Sequence, residues 1–146
     1  EDFWPVLAAR VHQLFEKYLE AFEDAADTLE FLRERGREMA VASSSPRDRL
    51  DLSLSSTGLD RFFEVVVAGD EVILGKPAPD IYLAAAAGLG VDPVTCIAVE
   101  DAPAGVAAAR AAGMRVVAVL RGGYSPEQLS EADLIVPRLT PAVLSH

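Results

Sequence analysis

Cysteine and histidine are almost absent from this sequence of 146 residues, which holds one cysteine, Cys96, and two histidines. A single cysteine cannot form an intrachain disulfide, so the composition favours a reducing compartment, and a cytoplasmic location is expected. No apolar run approaches the roughly 20 residues that a bilayer-spanning helix needs, and the first residues do not resemble a signal peptide. The sequence therefore predicts neither a disulfide-stabilised secreted protein nor a membrane protein.

Cations are scarce as well, because 13 lysines and arginines stand against 23 acidic residues and give a formal net charge of −10. Such a surface repels a phosphodiester backbone, so nucleic acid is not an expected partner. Hydrophobic residues make up 51% of the chain. That content is enough for a core without disulfides in one domain of this length.

Helical and strand patterns divide the chain after Gly36. Before it, apolar residues at spacings of three and four predict one amphipathic helix over 4–22 and a shorter one over 25–35. After it come short runs, rich in β-branched residues and apolar on both faces, as in the covered strands of a parallel sheet. These runs span 39–42, 63–68, 95–99, 116–120 and 134–136.

Helices are predicted between these strands, over 46–56, 80–87, 103–112 and 126–131, with Gly58, Gly88 and Gly113 at helix ends. Strands and helices that alternate with short connections are typical of a doubly wound, Rossmann-like parallel sheet with flanking helices. We therefore predict an α/β fold. Ligands of such sheets bind outside the carboxyl ends of the strands.

The first predicted strand runs directly into three serines, Ser43, Ser44 and Ser45, and then into Pro46 and a helix. Hydroxyls and free backbone N–H groups at the start of a helix suit a phosphate or another anion. The alternative is that a serine only caps the helix.

A lysine follows the second predicted strand, in the segment Gly-Lys-Pro-Ala-Pro-Asp at 75–80. Two prolines stiffen this loop, and Lys76 stands just before them. A lysine held near a phosphate neutralises the charge that builds on the transferring oxygens. The alternative is a solvated surface lysine.

Two adjacent carboxylates, Glu100 and Asp101, follow the third predicted strand. Paired carboxylates suit Mg²⁺, which takes one or two of them together with water and substrate phosphate. Alternatively, Asp101 only caps the next helix. An anion site, a lysine and a carboxylate pair at one edge of a sheet indicate Mg²⁺-dependent phosphoryl chemistry on a small phosphorylated metabolite. The segment 121–124 follows another strand end, where we favour a plain turn over a border of the site.

In their order and separation these segments resemble the haloacid dehalogenase-like (HAD) hydrolase superfamily, in particular its β-phosphoglucomutase and phosphoglycolate phosphatase branch. The resemblance extends from about residue 37 to residue 136, most of the chain. It implies a Mg²⁺-dependent phosphatase of a small phosphate ester, of the sugar phosphate or phosphoglycolate type. It also implies that residues 1–23 are a remnant of a helical cap and that 24–146 form the α/β core.

The resemblance also implies roles for individual residues. Ser43 would hold the transferring phosphoryl group through its hydroxyl, with help from the backbone N–H of Ser44, and Lys76 would bridge phosphate and nucleophile. Arg47, at the start of the following helix, would contact substrate. In the acidic pair, Asp101 would bind Mg²⁺, and the preceding glutamate would bind it directly or through water.

The nucleophile of the family is an aspartate in a DxD motif at the end of an N-terminal strand. It forms an aspartyl-phosphate, and the second aspartate acts as acid and base. Before Ser43 no acidic residue of this sequence follows a short apolar run, and none is spaced as DxD behind a strand. We therefore expect the chain to lack that strand and most of the cap, and we interpret it as part of a longer enzyme. The missing segment would be supplied in cis or by another chain, and the resemblance puts its strand between those ending at Ser43 and Glu100.

Two alternatives stay open at this point. One is a phosphate-binding remnant or regulatory subunit without catalysis, and the other is a phosphotransferase similar to β-phosphoglucomutase. A phosphoacceptor signalling domain is set aside, because its acidic pair precedes its lysine in sequence, whereas here Lys76 comes before Glu100 and Asp101.

Overall fold

The computed structural model describes residues 23–145, in which helices and strands alternate along the chain. The helix predicted over 4–22 lies outside this range. No helix within 23–145 is long and apolar enough to cross a membrane. The helices are α1 (Glu23–Glu34), α2 (Arg47–Thr57), α3 (Asp80–Leu89) and α4 (Pro103–Ala111). The strands are β1 (Ala40–Ala42), β2 (Val65–Val67), β3 (Ile97–Glu100), β4 (Arg115–Val119) and β5 (Leu134–Val136).

The strands form two parallel sheets with helices against them, which confirms the α/β prediction. One sheet pairs β1 with β2, and the other has the order β3-β4-β5. Among residues 23–145, β1 pairs only with β2, and β3 pairs only with β4. Each of these two strands therefore keeps one edge that no other strand of the described range occupies.

The core consists mainly of small and branched side chains. Alanines on α3 and α4 let these helices approach the strands closely, and Ile81 of α3 is only 1% exposed. Gly88 serves the same purpose, because a Cβ at this position would lie 2.7 Å from Cγ1 of Val65. The prediction that Gly88 ends a helix is therefore wrong. The helix α3 ends instead at Leu89 and has Gly90 as its C-cap, whose φ of 70° is the left-handed conformation favoured by glycine.

The helix predicted over 126–131 is also wrong, since the segment forms successive turns. The backbone N–H of Leu129 bonds to the carbonyl three residues back, and Oε1 of Gln128 accepts from the N–H of Ser125 at 3.0 Å. Six residues are too few to offset the cost of helix nucleation without tertiary support. Leu129, which is fully buried, anchors the turns to the core instead.

Candidate functional site

The ammonium of Lys76 connects the carboxyl ends of β1 and β3. Its Nζ lies 3.1 Å from the carbonyl oxygen of Ala42 and 2.5 Å from Oε1 of Glu100. The side chains of this ion pair are only 13% and 8% exposed. The alternative of a solvated surface lysine is therefore wrong, and the structure brings together two of the three predicted strand-end groups.

The loop that carries Lys76 is held by local bonds. The N–H of Ala78 donates to the carbonyl of Gly75 at 3.0 Å, and the peptide bond between Lys76 and Pro77 is cis. The loop leads into α3, whose first residue, Asp80, accepts from the N–H of Leu74 at 3.4 Å. The lysine is thus presented from a short turn between β2 and α3, as the two prolines indicated.

Donors from the protein surround the carboxylate of Glu100. Oε1 accepts from Lys76 and from the hydroxyl of Tyr82, and Oε2 accepts from the backbone N–H of Asp101 at 3.2 Å. A Cβ at Gly105 would lie 2.0 Å from the carboxyl carbon, so only glycine fits beside this group. Glu100 is consequently fixed in one orientation, towards Lys76.

Tyr82 belongs to the site although sequence reasoning did not identify it. It is 7% exposed, and its ring centroid lies 5.0 Å from Nζ of Lys76. Burial and the nearby charge of Glu100 raise the pKa of the phenol, so the hydroxyl remains a donor. In the sequence, Tyr82 is an apolar-face residue of a helix, and nothing local distinguishes it from core.

Asp101 differs from its neighbour, because Lys76 and Tyr82 both direct their hydrogen bonds to Glu100. The residue is exposed at the sheet edge, but the protein around its carboxylate desolvates it. Desolvation first, and then the charge of Glu100, raise its pKa, while Lys76 and Arg121 act in the opposite direction. The helix α4 has Ala102 at its N-cap without a side-chain cap. The capping interpretation of Asp101 is therefore wrong.

The loop after β4 borders this carboxylate. A Cβ at Gly122 would lie 2.7 Å from the backbone oxygen of Asp101 and 3.3 Å from its Oδ2. The interpretation of 121–124 as a plain turn away from the site is therefore wrong. A glycine after a strand end was the available signal, but the sequence could not say what it approaches.

The serine loop packs against the end of β2. Oγ of Ser43 accepts from the N–H of Ser45 at 3.2 Å, and the N–H of Gly69 donates to the carbonyl of Ser45 at 2.9 Å. A Cβ at Gly69 would lie 2.2 Å from the carbonyl oxygen of Ser44. The N-cap of α2 is Pro46, and no side chain caps this helix. The serine hydroxyls are thus not used as helix caps.

Arg47 makes a separate set of contacts. Its guanidinium pairs with Glu71 at 2.5 Å and Asp51 at 3.2 Å, and donates to the carbonyl of Val66 at 2.6 Å. These bonds connect the start of α2 to the segment that follows β2. A contact between Arg47 and substrate stays a prediction.

The carboxylate oxygens at this edge of the sheet suit Mg²⁺ better than a metal that protein side chains alone would coordinate. Within 23–145, no three Asp, Glu, His or Cys side chains converge as a metal site. Mg²⁺ usually takes one or two carboxylates and completes its shell with water and phosphate oxygens. The carboxylate of Asp101 fits this role, because a cation would relieve its repulsion with Glu100. The oxygens of Glu100 already accept from three protein donors.

Comparison with known families and proteins shows which family the chain belongs to. The family profile of haloacid dehalogenase-like hydrolases matches residues 3–113, about three quarters of the chain. The chain belongs to this family.

Two curated relatives and one solved structure are similar to most of this chain. Protein CbbY of Rhodobacter capsulatus is 40% identical over 120 residues, which cover 80% of this chain and 53% of that protein. A phosphorylated carbohydrates phosphatase of Thermotoga maritima is 33% identical over 131 residues, covering 86% of this chain and 61% of that protein. The crystal structure of CbbY from Rhodobacter sphaeroides in complex with phosphate aligns with a TM-score of 0.72 and 28% identity. That alignment covers 88% of this chain and 62% of the solved chain. The chain therefore spans between half and two thirds of the length of these relatives.

Proposed function

We propose that this chain forms the phosphate- and Mg²⁺-binding core of a HAD-type phosphatase of small phosphate esters, sugar phosphates above all. The observation that carries the proposal is the buried ammonium of Lys76, held between the ends of β1 and β3 beside Asp101. An ammonium has three N–H donors. Ala42 and Glu100 accept from it, which leaves one donor for a phosphate oxygen.

In this proposal the residues divide into an anion-binding and a cation-binding group. Lys76, the hydroxyl of Ser43 and the backbone N–H of Ser44 bind the phosphoryl group. Asp101 holds Mg²⁺, and Glu100 faces the metal only through water because its oxygens already accept from protein donors. Bound Mg²⁺ would neutralise charge on the phosphate oxygens.

The nucleophile of this reaction lies outside the chain described here. An aspartate at the end of a strand between β1 and β3 would form the aspartyl-phosphate, as the family resemblance implies. The edges that β1 and β3 leave open among residues 23–145 support such a strand. A carboxylate there would stand near Lys76, which would stabilise the charge on the transferring oxygens.

A phosphate-binding subunit without catalysis is the second candidate. The observation that favours it is that β1, the first strand of the described range, has no acidic residue at its carboxyl end. A β-phosphoglucomutase-like phosphotransferase would use the same residues. It differs in keeping the phosphoryl group on an organic acceptor.

The test is turnover of sugar phosphates and phosphoglycolate by the full-length protein, with Lys76→Ala as the variant. We expect Mg²⁺-dependent phosphate release that Lys76→Ala lowers by roughly 10²–10³-fold, as for a lost charge-stabilising donor. Arg110→Ala, which removes an exposed cation from the amino end of the sheet, is the matched control. Binding of phosphate without its release would favour the subunit, and wild-type turnover of Lys76→Ala would contradict the proposed role of Lys76.

A further inference from the structure

Tyr82 contacts both members of the buried ion pair. Its hydroxyl donates to Oε1 of Glu100, and the face of its ring lies 5.0 Å from Nζ of Lys76. An ammonium over an aromatic ring is attracted by the negative face of the ring. Tyr82 therefore acts on the lysine directly through its ring and indirectly through the carboxylate.

The hydroxyl of Tyr82 is one of two groups that donate to Oε1 of Glu100. Oε2 is fixed by the backbone of Asp101, and Gly105 closes one side of the carboxyl group. Oε1 is shared between the ammonium and the phenol. Without the phenol, Oε1 would depend on the flexible lysine alone, and the carboxylate would gain freedom to turn towards Asp101 and a cation there.

We propose that Tyr82 is a positioning residue of the phosphoryl-transfer site, whose hydroxyl holds Glu100 towards Lys76 and so fixes the ammonium at the carboxyl end of β1. The contacts stand by themselves, and only their use in phosphoryl transfer rests on the proposed function. Tyr82 acts through Lys76 and Glu100, because its hydroxyl bonds to the carboxylate and its ring faces the ammonium.

The composition of the chain allows a direct test. The sequence holds two lysines, Lys17 and Lys76. The acylation of each by a dilute amine-reactive reagent can therefore be followed by peptide mass spectrometry. Tyr82→Phe keeps the ring and removes only the hydroxyl. We expect Lys76 to be acylated about fivefold faster in this variant, the factor that one hydrogen bond of ordinary net strength contributes. The rate at Lys17 should stay unchanged.

Ile81→Val is the matched control, because it shortens a buried side chain on the same turn of α3 without removing a polar group. Its Lys76 should react as in the wild-type chain, whereas a general loosening of α3 would accelerate both variants alike. Equal Lys76 rates in Tyr82→Phe and wild type would overturn the proposal, as would equal acceleration in both variants. If Tyr82→Phe does not fold, proton NMR of the wild-type chain replaces it. A slowly exchanging Tyr82 hydroxyl resonance supports the proposal, and its absence overturns it.

A second measurement distinguishes a failure of this proposal from a failure of the proposed function. Inorganic phosphate with Mg²⁺ should slow the acylation of Lys76 in the wild-type chain. If phosphate does not slow the acylation of Lys76 but Tyr82→Phe accelerates it, the phosphate site is contradicted and the positioning role is supported. Protection without any effect of Tyr82→Phe would support the phosphate site and overturn the positioning role.

Discussion

Two carboxylates make similar bonds at opposite edges of the three-stranded sheet. At its carboxyl edge, Glu100 accepts from Lys76 at 2.5 Å and from the next backbone N–H at 3.2 Å. At its amino edge, Asp133 accepts from Arg110 at 3.0 Å and from the backbone N–H of Val116 at 2.7 Å. The side chain of Glu100 is 8% exposed and that of Asp133 is 44% exposed.

This difference in exposure distinguishes a structural contact from the contact on which the proposed function depends. An exposed pair such as Arg110 with Asp133 contributes about 0–1 kcal/mol and connects α4 to the start of β5. Burial removes the hydration of both charges, and the free-energy cost of this desolvation is about as large as the gain from their attraction. Stability alone therefore does not account for the pair of Lys76 and Glu100. What the buried pair provides is an ammonium fixed beside a second carboxylate, Asp101, and that is an arrangement suited to phosphate and Mg²⁺.

The largest expected effect comes from removing the charge of Glu100. Glu100→Gln keeps the shape of the side chain but leaves the buried ammonium of Lys76 without its counter-charge. We expect the free energy of unfolding to fall by about 3 kcal/mol. Chemical denaturation at neutral pH measures this loss, and a change below that of Asp133→Asn would contradict the distinction between the two pairs.

Asp101→Asn should act in the opposite direction. The pKa of Asp101 is raised by desolvation and by Glu100, so its charged form is disfavoured in the folded chain. Stability from this group is present at low pH and is lost as the pH rises above its ordinary value of 3.8 and through the raised pKa. Without metal, Asp101→Asn should therefore raise the melting temperature at neutral pH and leave it unchanged below about pH 3.

The metal-bound state provides the control for this prediction. Mg²⁺ with phosphate should raise the melting temperature of the wild-type chain and not that of Asp101→Asn. If Asp101→Asn is less stable than the wild-type chain when both are free of metal, Asp101 is a structural residue.

The smallest effect is expected at the amino edge. Asp133→Asn removes a carboxylate whose pKa is lowered, first by the N–H of Val116 and also by Arg110. Its stabilisation is present above the ordinary pKa of 3.8 and is lost as the pH falls through the lowered value. The variant should lose about 1 kcal/mol or less at pH 7 and nothing at the lowest pH. Denaturation at both pH values checks this, and a larger loss than in Glu100→Gln would reverse the comparison.

The sequence predicted much of the fold because its signals are local. Short apolar runs with β-branched residues located the five strands within two residues of their observed ends. Gly88 was misassigned because a helix-ending glycine and one that allows close packing look alike in sequence. The turns at 126–131 were misassigned because a short helical pattern carries no information about its tertiary support.

The site was predicted only in part, for a related reason. Ser43 and Asp101 could be proposed because each is a polar group at the end of an apolar run, and Lys76 because it stands just before two prolines in the loop that follows such a run. Tyr82 and Gly105 could not, since their importance comes from contact with Glu100 across 18 and 5 positions of the chain. Such contacts depend on how α3 and α4 pack at the ends of the strands, which no local pattern specifies.

The most direct measurement is a calorimetric titration of inorganic phosphate into the 146-residue chain with Mg²⁺ present, for wild type, Lys76→Ala and Arg110→Ala. We expect saturable binding at one site in wild type and in Arg110→Ala, and its loss in Lys76→Ala or when Mg²⁺ is omitted. Equal binding by all three proteins, or binding that does not depend on Mg²⁺, would contradict the assignment of the Lys76, Glu100 and Asp101 cluster as the phosphate site.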